Sequence, residues 1–245
     1  TNWARFSNFA GGVIGQTLAL EGMFAFFLES SFLGVLLFGP GRVSERLQWV
    51  ASMLLLVGSW LSGYFILATN SWMQHPVAYT VDSGGSVHVD SLGGLLANPW
   101  LLWQYTHTMT AAVVTASFTV AAVGAYYLLA GTHVAYGKTF LRTGVTAGFL
   151  AAVLLAFPTG HGNAQQVFEH QPIKGAAMEG LFRTERGAGL LLVGQPNLET
   201  MTIDNPIEVP RALSFLVYES LHAPVEGLDA FPRDLWPDNI PLLYY

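Results

Sequence analysis

Apolar residues run almost unbroken from Val13 to Phe38, reading VIGQTLALEGMFAFFLESSFLGVLLF, and polar residues enter only singly or in pairs. About 20 apolar residues carry a helix across a bilayer, so this stretch predicts a membrane-spanning helix. It ends at Gly39 to Arg42, the GPGR break, where a proline and two glycines stop a helix. A second apolar run covers 49–69, with Ser59 and Ser62 inside it and no charged side chain. A third covers 100–131 and contains His107; a fourth covers 139–157 and is closed by Pro158 and the turn TGHGN. From Thr159 onward the pattern changes to a polar, Gly- and Pro-rich stretch with no run long enough to cross. Short helices are predicted there at Ile173 to Glu185 and Pro210 to Leu221, with Phe168, Phe182, Phe215, Tyr218 and Trp236 supplying apolar faces. The tail NIPLLYY reads as the start of a further span. The expected fold is therefore all-α: a polytopic transmembrane bundle of about four spans over 1–158, then a loop region over 159–245.

Composition agrees with a membrane setting. Only 11% of the 245 residues are charged and mean hydropathy is +0.42, against about 25% charged in soluble domains. The formal charge of −6, without a basic run, argues against nucleic acid as a partner. With no cysteine, disulfides, thiolate-held iron–sulfur clusters and covalent haem attachment are excluded. Residues 1–12 have no signal-peptide pattern, and an opening threonine points to residues upstream. Arg42, Arg46, Lys138 and Arg142 flank two loops, whereas 70–99 holds no Lys or Arg. The positive-inside rule then places 39–47 and 132–142 in the cytoplasm and faces 70–99 and 159–245 outward. Trp72, Trp100, Trp103, Tyr126 and Tyr127 lie near span ends, where aromatic belts form.

The first span carries two carboxylates, Glu21 and Glu29. Ionisable groups at membrane depth are costly and face a protein interior or a water path. A straight helix separates these two by about 12 Å along its axis, on one half of its surface. Pairing with a buried Arg or Lys, a proton path and a cofactor site are the readings open to them. His107, in YTHTMTAAVV, lies about 10 Å inside the third span. It either donates to a backbone carbonyl or serves as an axial haem ligand, with Thr110, Ala111, Ala112, Thr115 and Ala116 leaving room for a macrocycle. In the loop, Lys174 and Glu179 either form a solvated helix face or hydrogen-bond a quinol and take up its protons. His161 and His170 offer a weaker zinc alternative, without ligand spacing to support it.

Several blocks together resemble subunit I of the cytochrome bd quinol oxidases: TNW at Thr1 to Trp3, LALEGMFAFFLESSFLGVLLFG at Leu18 to Gly39, NSWMQHP at Asn70 to Pro76, HT at His107 and Thr108, and QPIKGAAMEG at Gln171 to Gly180. Their order and spacing cover nearly the whole chain, and the glutamate-bearing helix is the most specific of them. The resemblance implies that His107 ligates a low-spin haem b, and that Lys174 and Glu179 act in quinol oxidation within a Q-loop of the short type. It places Glu29 and Ser62 on a proton route from the cytoplasm and Glu21 near paired high-spin haems, a second haem b with either haem d or another haem b.

The family's other segments hold the remaining haem ligands and a GRQPW-like motif, none of which is in these 245 residues. An internal part of subunit I, from the third helix through the Q-loop, or a subunit split between chains, is therefore expected. Implied partners are the rest of subunit I, subunit II, small single-span subunits and membrane quinol, in a bacterial or archaeal cytoplasmic membrane. Two other readings remain open: a single-haem electron-transfer homologue, and an ion transporter or channel whose Glu21 and Glu29 bind a cation.

Overall fold

The computed structural model describes residues 3–240 and residue 244. Thr1 and Asn2 of the TNW block, and the tail beyond 240 apart from residue 244, lie outside the described residues. The chain divides into two compact units, Thr1–Ala152 and Val153–Tyr245. Four helices are long and apolar enough to cross a membrane: Ala4–Phe38, Glu45–Gln74, Pro99–Leu129 and Val134–His170. All four predicted spans are present; the first, second and fourth helices outrun their apolar runs, whereas the third stops at Leu129, two residues short of its run.

In the first unit, α1 (Trp3–Leu20) passes through a single π-helical turn, Glu21–Phe26, into α2 (Phe27–Phe38). The helix stops at Gly39, and Gly41 takes a left-handed φ of 74° that a side chain would resist. α3 (Glu45–Gln74) begins under a Ser44 cap, whose hydroxyl accepts from Leu47 N, and Glu45 complements the dipole of the first turn. Next come the antiparallel pair β1 (Tyr79–Val81) and β2 (Val87–Val89), with Asp82 accepting from Gly84 N and Ser86 N in the turn between them. A short α4 (Leu92–Leu96) then leads to α5 (Pro99–Leu129), where Asn98 caps and proline opens the first turn. The Asn98 amide also donates to His75 O, tying the end of α3 to the start of α5. α6 (Val134–Leu154) completes the unit.

Buried Ala10, Val13 and Ile14 of α1 pack with Trp72, Val87 and Leu95. The hairpin is thereby seated on the α1–α3 pair. α5 and α6 meet through small residues. Ser117, Ala121 and Gly124 lie buried on one helix, with Gly137, Gly144, Gly148 and Ala151 on the other. Apolar burial gives no driving force between helices in lipid, so close backbone approach must supply the packing. Many large apolar side chains on the helices point outward, among them Phe24, Phe27, Phe38 and Leu129.

In the second unit the backbone bends at Phe157 (φ −100°, ψ −170°), as expected of a residue before proline. Pro158 therefore kinks the helix rather than ending it. The predicted turn TGHGN is helical, leading into α7 (His161–His170). α8 (Pro172–Met178) is shorter than the predicted 173–185 because Gly180 closes it at φ 63°. α9 (Ala212–Tyr218) is likewise closed at Glu219, φ 55°. Between them lie β3 (Glu185–Arg186), which pairs with β6 (Pro224–Val225), and a hairpin of β4 (Leu190–Asn197) with β5 (Thr202–Val209). Short helices alone were expected here. The hairpin turn is built by Asn197, whose side-chain oxygen accepts from Glu199 N and Thr200 N. Ala176, Ala177, Phe182, Leu228 and Ile240 form one core of this unit, with Trp236 packed against it. Phe168 joins a second core, whereas Phe215 and Tyr218 are about half exposed.

A Cβ at Gly124 would lie 2.5 Å from Leu141 N and 2.8 Å from Gly137 O. Gly124→Val should therefore force α5 and α6 apart, at about 1–3 kcal/mol. The thermal midpoint of the detergent-solubilised protein should fall; an unchanged midpoint would show that the helices do not pack through this glycine.

Candidate functional site

α3 presents two opposite stripes. Gly58, Ser62, Thr69 and Trp72 face the first span, while Trp60, Gly63, Leu67 and Ser71 face α5. On the first stripe, the Ser62 hydroxyl donates to Glu21 Oε1 at 2.6 Å, and Glu21 is 8% exposed. One turn earlier, a Cβ on Gly58 would lie 3.1 Å from Glu29 Cγ and 3.1 Å from Leu28 Cβ. The half-buried stem of Glu29 thus passes over bare backbone.

The π-turn makes this alignment possible. In a straight α-helix, residues eight apart differ by about 80° around the axis; one extra residue in a π-turn brings that to about 20°. Sequence spacing alone therefore misses how closely Glu21 and Glu29 share a face. The structure brings Glu21, Ser62 and Glu29 onto one α1/α2–α3 seam. Among the described residues neither carboxylate forms an ion pair, so pairing with a buried Arg or Lys gains no support. A serine donating to a buried carboxylate makes a strong, charge-assisted bond, and the same hydroxyl can pass a proton.

His107 lies elsewhere. Tyr105 donates to Trp60 O at 3.1 Å, and Met109 Sδ would be 2.8 Å from a Cβ on Gly63. Both face α3, and two residues along a helix turn about 200°, so His107 is on the side of α5 away from α3. The half-buried His107 is followed one turn later by Thr110 and Ala111, and Thr110 donates to Thr106 O at 2.6 Å. That face is small-residued, with the threonine hydroxyl satisfied within the helix. These features fit a macrocycle approaching an axial imidazole. The histidine and the two glutamates do not share a site, since α3 lies between them.

The loop pair is also separated. Five residues turn a helix by about 140°, and Lys174 and Glu179 line different cavities. Lys174 borders a cavity of about 330 Å³ with His170, Ile173, Phe231 and Leu235. Glu179 borders another of about 330 Å³ with Arg183, Met201, Ile203 and Glu208. It also borders one of about 520 Å³ beside β4. The β4–β5 hairpin thus walls the Glu179 cavities, and sequence reasoning missed it; the β-branched pattern TIDNPIEV after the Asn197 turn was the available signal. Burial raises the Glu179 carboxyl above its usual 4.5 and lowers the Lys174 ammonium below its usual 10.5. For zinc, His161 instead approaches Glu219 Oε1 at 3.7 Å, and no cluster of three metal-capable side chains occurs among the described residues.

The Glu179 shift has a defined consequence for stability. A carboxyl raised in the folded state contributes stability that is fully present below its usual value and lost as pH rises through the raised value. Glu179→Gln cannot ionise, so across that window the wild-type thermal midpoint should decline relative to the variant's. Parallel curves would show that Glu179 is not desolvated.

Known proteins resemble the chain over nearly its whole length. The family model "Cytochrome bd terminal oxidase subunit I" matches residues 1–245. Cytochrome bd ubiquinol oxidase subunit 1 of Bacillus subtilis (strain 168) is 33% identical over 93% of the chain, and 48% of the relative is covered. Cytochrome bd-II ubiquinol oxidase subunit 1 of Escherichia coli (strain K12) is 33% identical over 97% of the chain and 46% of its own length. The structure of the bd oxidase from Geobacillus thermodenitrificans superposes with a TM-score of 0.85 at 30% identity, over 96% of this chain and 54% of that one. The chain thus spans about half the length of the relatives it matches. With its whole length matched, the chain belongs to the cytochrome bd terminal oxidase subunit I family.

Proposed function

We propose that this chain is the part of a bd-type quinol:oxygen oxidoreductase that oxidises quinol on the outer face and carries protons inward from the cytoplasm. The observation that carries the reading is the Ser62–Glu21 hydrogen bond, with Glu29 on the same seam of α3. A proton reaching Glu29 is passed along that seam to Glu21, and the Ser62 hydroxyl holds the Glu21 carboxylate in place to accept it. Apolar helix surfaces around the seam exclude bulk water and so keep the transfer confined.

In the loop, Glu179 is the base for a quinol hydroxyl. Its raised pKa brings it closer to working pH, which strengthens it as a proton acceptor. Lys174, in the neighbouring cavity, positions or steers the substrate instead of sharing the same hydroxyl. His107 would hold a b-type haem on the side of α5 away from α3, and that haem would supply one-electron acceptance and transfer. The oxygen-reducing haems, a high-spin haem b with haem d or another haem b, would supply the site of oxygen reduction and would be held in part by residues other than those named here. Subunit II and small single-span subunits complete the assembly. Loops 70–99 and 159–245 face outward by the distribution of basic residues, so quinol protons leave on that side while chemical protons enter from the other.

The test uses the purified complex containing this chain, comparing wild type, His107→Ala and Glu29→Ala. A low-spin b-type band in the reduced-minus-oxidised spectrum should vanish in His107→Ala and persist in Glu29→Ala. Oxidase turnover in Glu29→Ala should fall roughly tenfold or more. Full turnover with the haem intact would remove Glu29 from the proton route, and no haem band in wild type would overturn the oxidase reading.

A further inference from the structure

One buried polar contact on the same seam belongs to none of these roles. Thr17 and Thr69, 1% and 7% exposed, are hydrogen-bonded to each other through their hydroxyls across the α1–α3 interface. Thr17 lies one turn before Glu21, and Thr69 lies two turns after Ser62. Ile14 O lies 3.0 Å from the Thr17 hydroxyl and Phe65 O lies 3.4 Å from the Thr69 hydroxyl, so each has a helix carbonyl as a second possible acceptor. Beyond the pair stand Ala10, Val13, Ile14 and Trp72, all apolar in their packing.

Proton counting shows what the pair can do. Each hydroxyl has one proton. If Thr69 donates to Thr17, then Thr17 donates to Ile14 O; if Thr17 donates to Thr69, then Thr69 donates to Phe65 O. Both arrangements end on a helix carbonyl and neither offers a proton to Glu21. The pair is a closed contact and not a relay.

Its position matters mechanically. The π-turn begins at Glu21, one turn after Thr17 on the helix. A π-turn is a local excess of one residue, and it aligns Glu29 with Glu21 only while the helix before it is fixed in register against α3. A slip of one residue moves the chain by about 1.5 Å and turns it by about 100°. The 2.6 Å Ser62–Glu21 bond cannot survive that, since a turn of about 100° carries the Glu21 side chain off the face that meets α3. We propose that the Thr17–Thr69 hydrogen bond is a positioning clamp that sets the register of the first span on α3 and so holds Glu21 against Ser62 across the π-turn. Thr17 and Thr69 are positioning residues for a carboxylate whose proton-carrying role is the reading given above.

Infrared difference spectroscopy on the purified complex tests this, with Glu21→Gln identifying the Glu21 carboxyl band. Thr69→Val, which keeps the shape and removes the hydroxyl, should shift that band to higher frequency as its hydrogen bond is lost. Turnover should fall roughly ten- to a hundredfold at unchanged quinol KM. Thr69→Ser should restore both. Thr17→Val should reproduce the shift and stands in if Thr69→Val does not assemble. An unshifted band in a folded Thr69→Val or Thr17→Val complex overturns the clamp and leaves the role of Glu21 intact. Unchanged turnover in Glu21→Gln overturns the proton reading instead, whatever the band does.

Discussion

A carboxylate inside a membrane helix must be desolvated and still held, and the structure resolves this with α3. That helix carries no charged side chain from Leu47 to Gln74, so it cannot neutralise Glu21 or Glu29 by pairing. It offers instead a groove at Gly58 and a hydroxyl at Ser62, and it is these two that set where the carboxylates lie. Uncharged donors keep a carboxyl free to change protonation state. A fixed cation would hold it ionised. A seam of small and hydroxylic residues lets the helices approach closely and, under the proposed function, leaves both carboxylates without a fixed countercharge.

The opposite stripe of α3 has a different character. Trp60, Tyr64 and Tyr105 form edge-to-face aromatic contacts, and Leu67, Ala68 and Leu101 fill the space beside them. Only beyond α5 does His107 occur. A mainly aromatic and aliphatic layer, crossed by the buried Ser71–Gln104 hydrogen bond, thus separates the histidine from the carboxylates. Under the proposed function, in which electrons pass by His107 and protons by the glutamates, such a partition is an advantage, because a low-dielectric layer resists charge leaking between the two.

How much of this was legible in the sequence follows from which physical rule governs each element. Long apolar runs report spans well, since no other environment tolerates them; hence the four helices and the exceptional Glu21 and Glu29. The ends of the helices are less legible, because a cap such as Ser44 starts α3 in polar sequence before its apolar run begins. The π-turn has no composition signature, as it is decided by the fit of the first span against Gly58, Ser62 and Thr69. Gly180 was read as part of a helix and is its stop, since whether a glycine ends a helix depends on the chain adopting φ > 0 there. The β4–β5 hairpin was hidden by its mixed proline-containing strands. Lys174 and Glu179 were legible as residue types, but their separation into two cavities depends on the turn after α8.

The two kinds of candidate site consequently differ in what fixes them. The membrane seam is over-determined: Thr17, Glu21 and Glu29 each meet a residue of one stripe on a single helix, and moving any of them moves the rest. The loop site rests on short elements, closed at Gly180 and Glu219 and braced by a two-strand hairpin with register irregularities. Such construction suits a surface that must admit and release a substrate, because short elements with few buried contacts open at low free energy. A proton seam gains nothing from opening and loses its geometry if it does. The fixed α3 stripe and the jointed loop are therefore built in opposite ways, and under the proposed function each suits what it would handle: a proton passed between fixed groups, and a quinol that must leave.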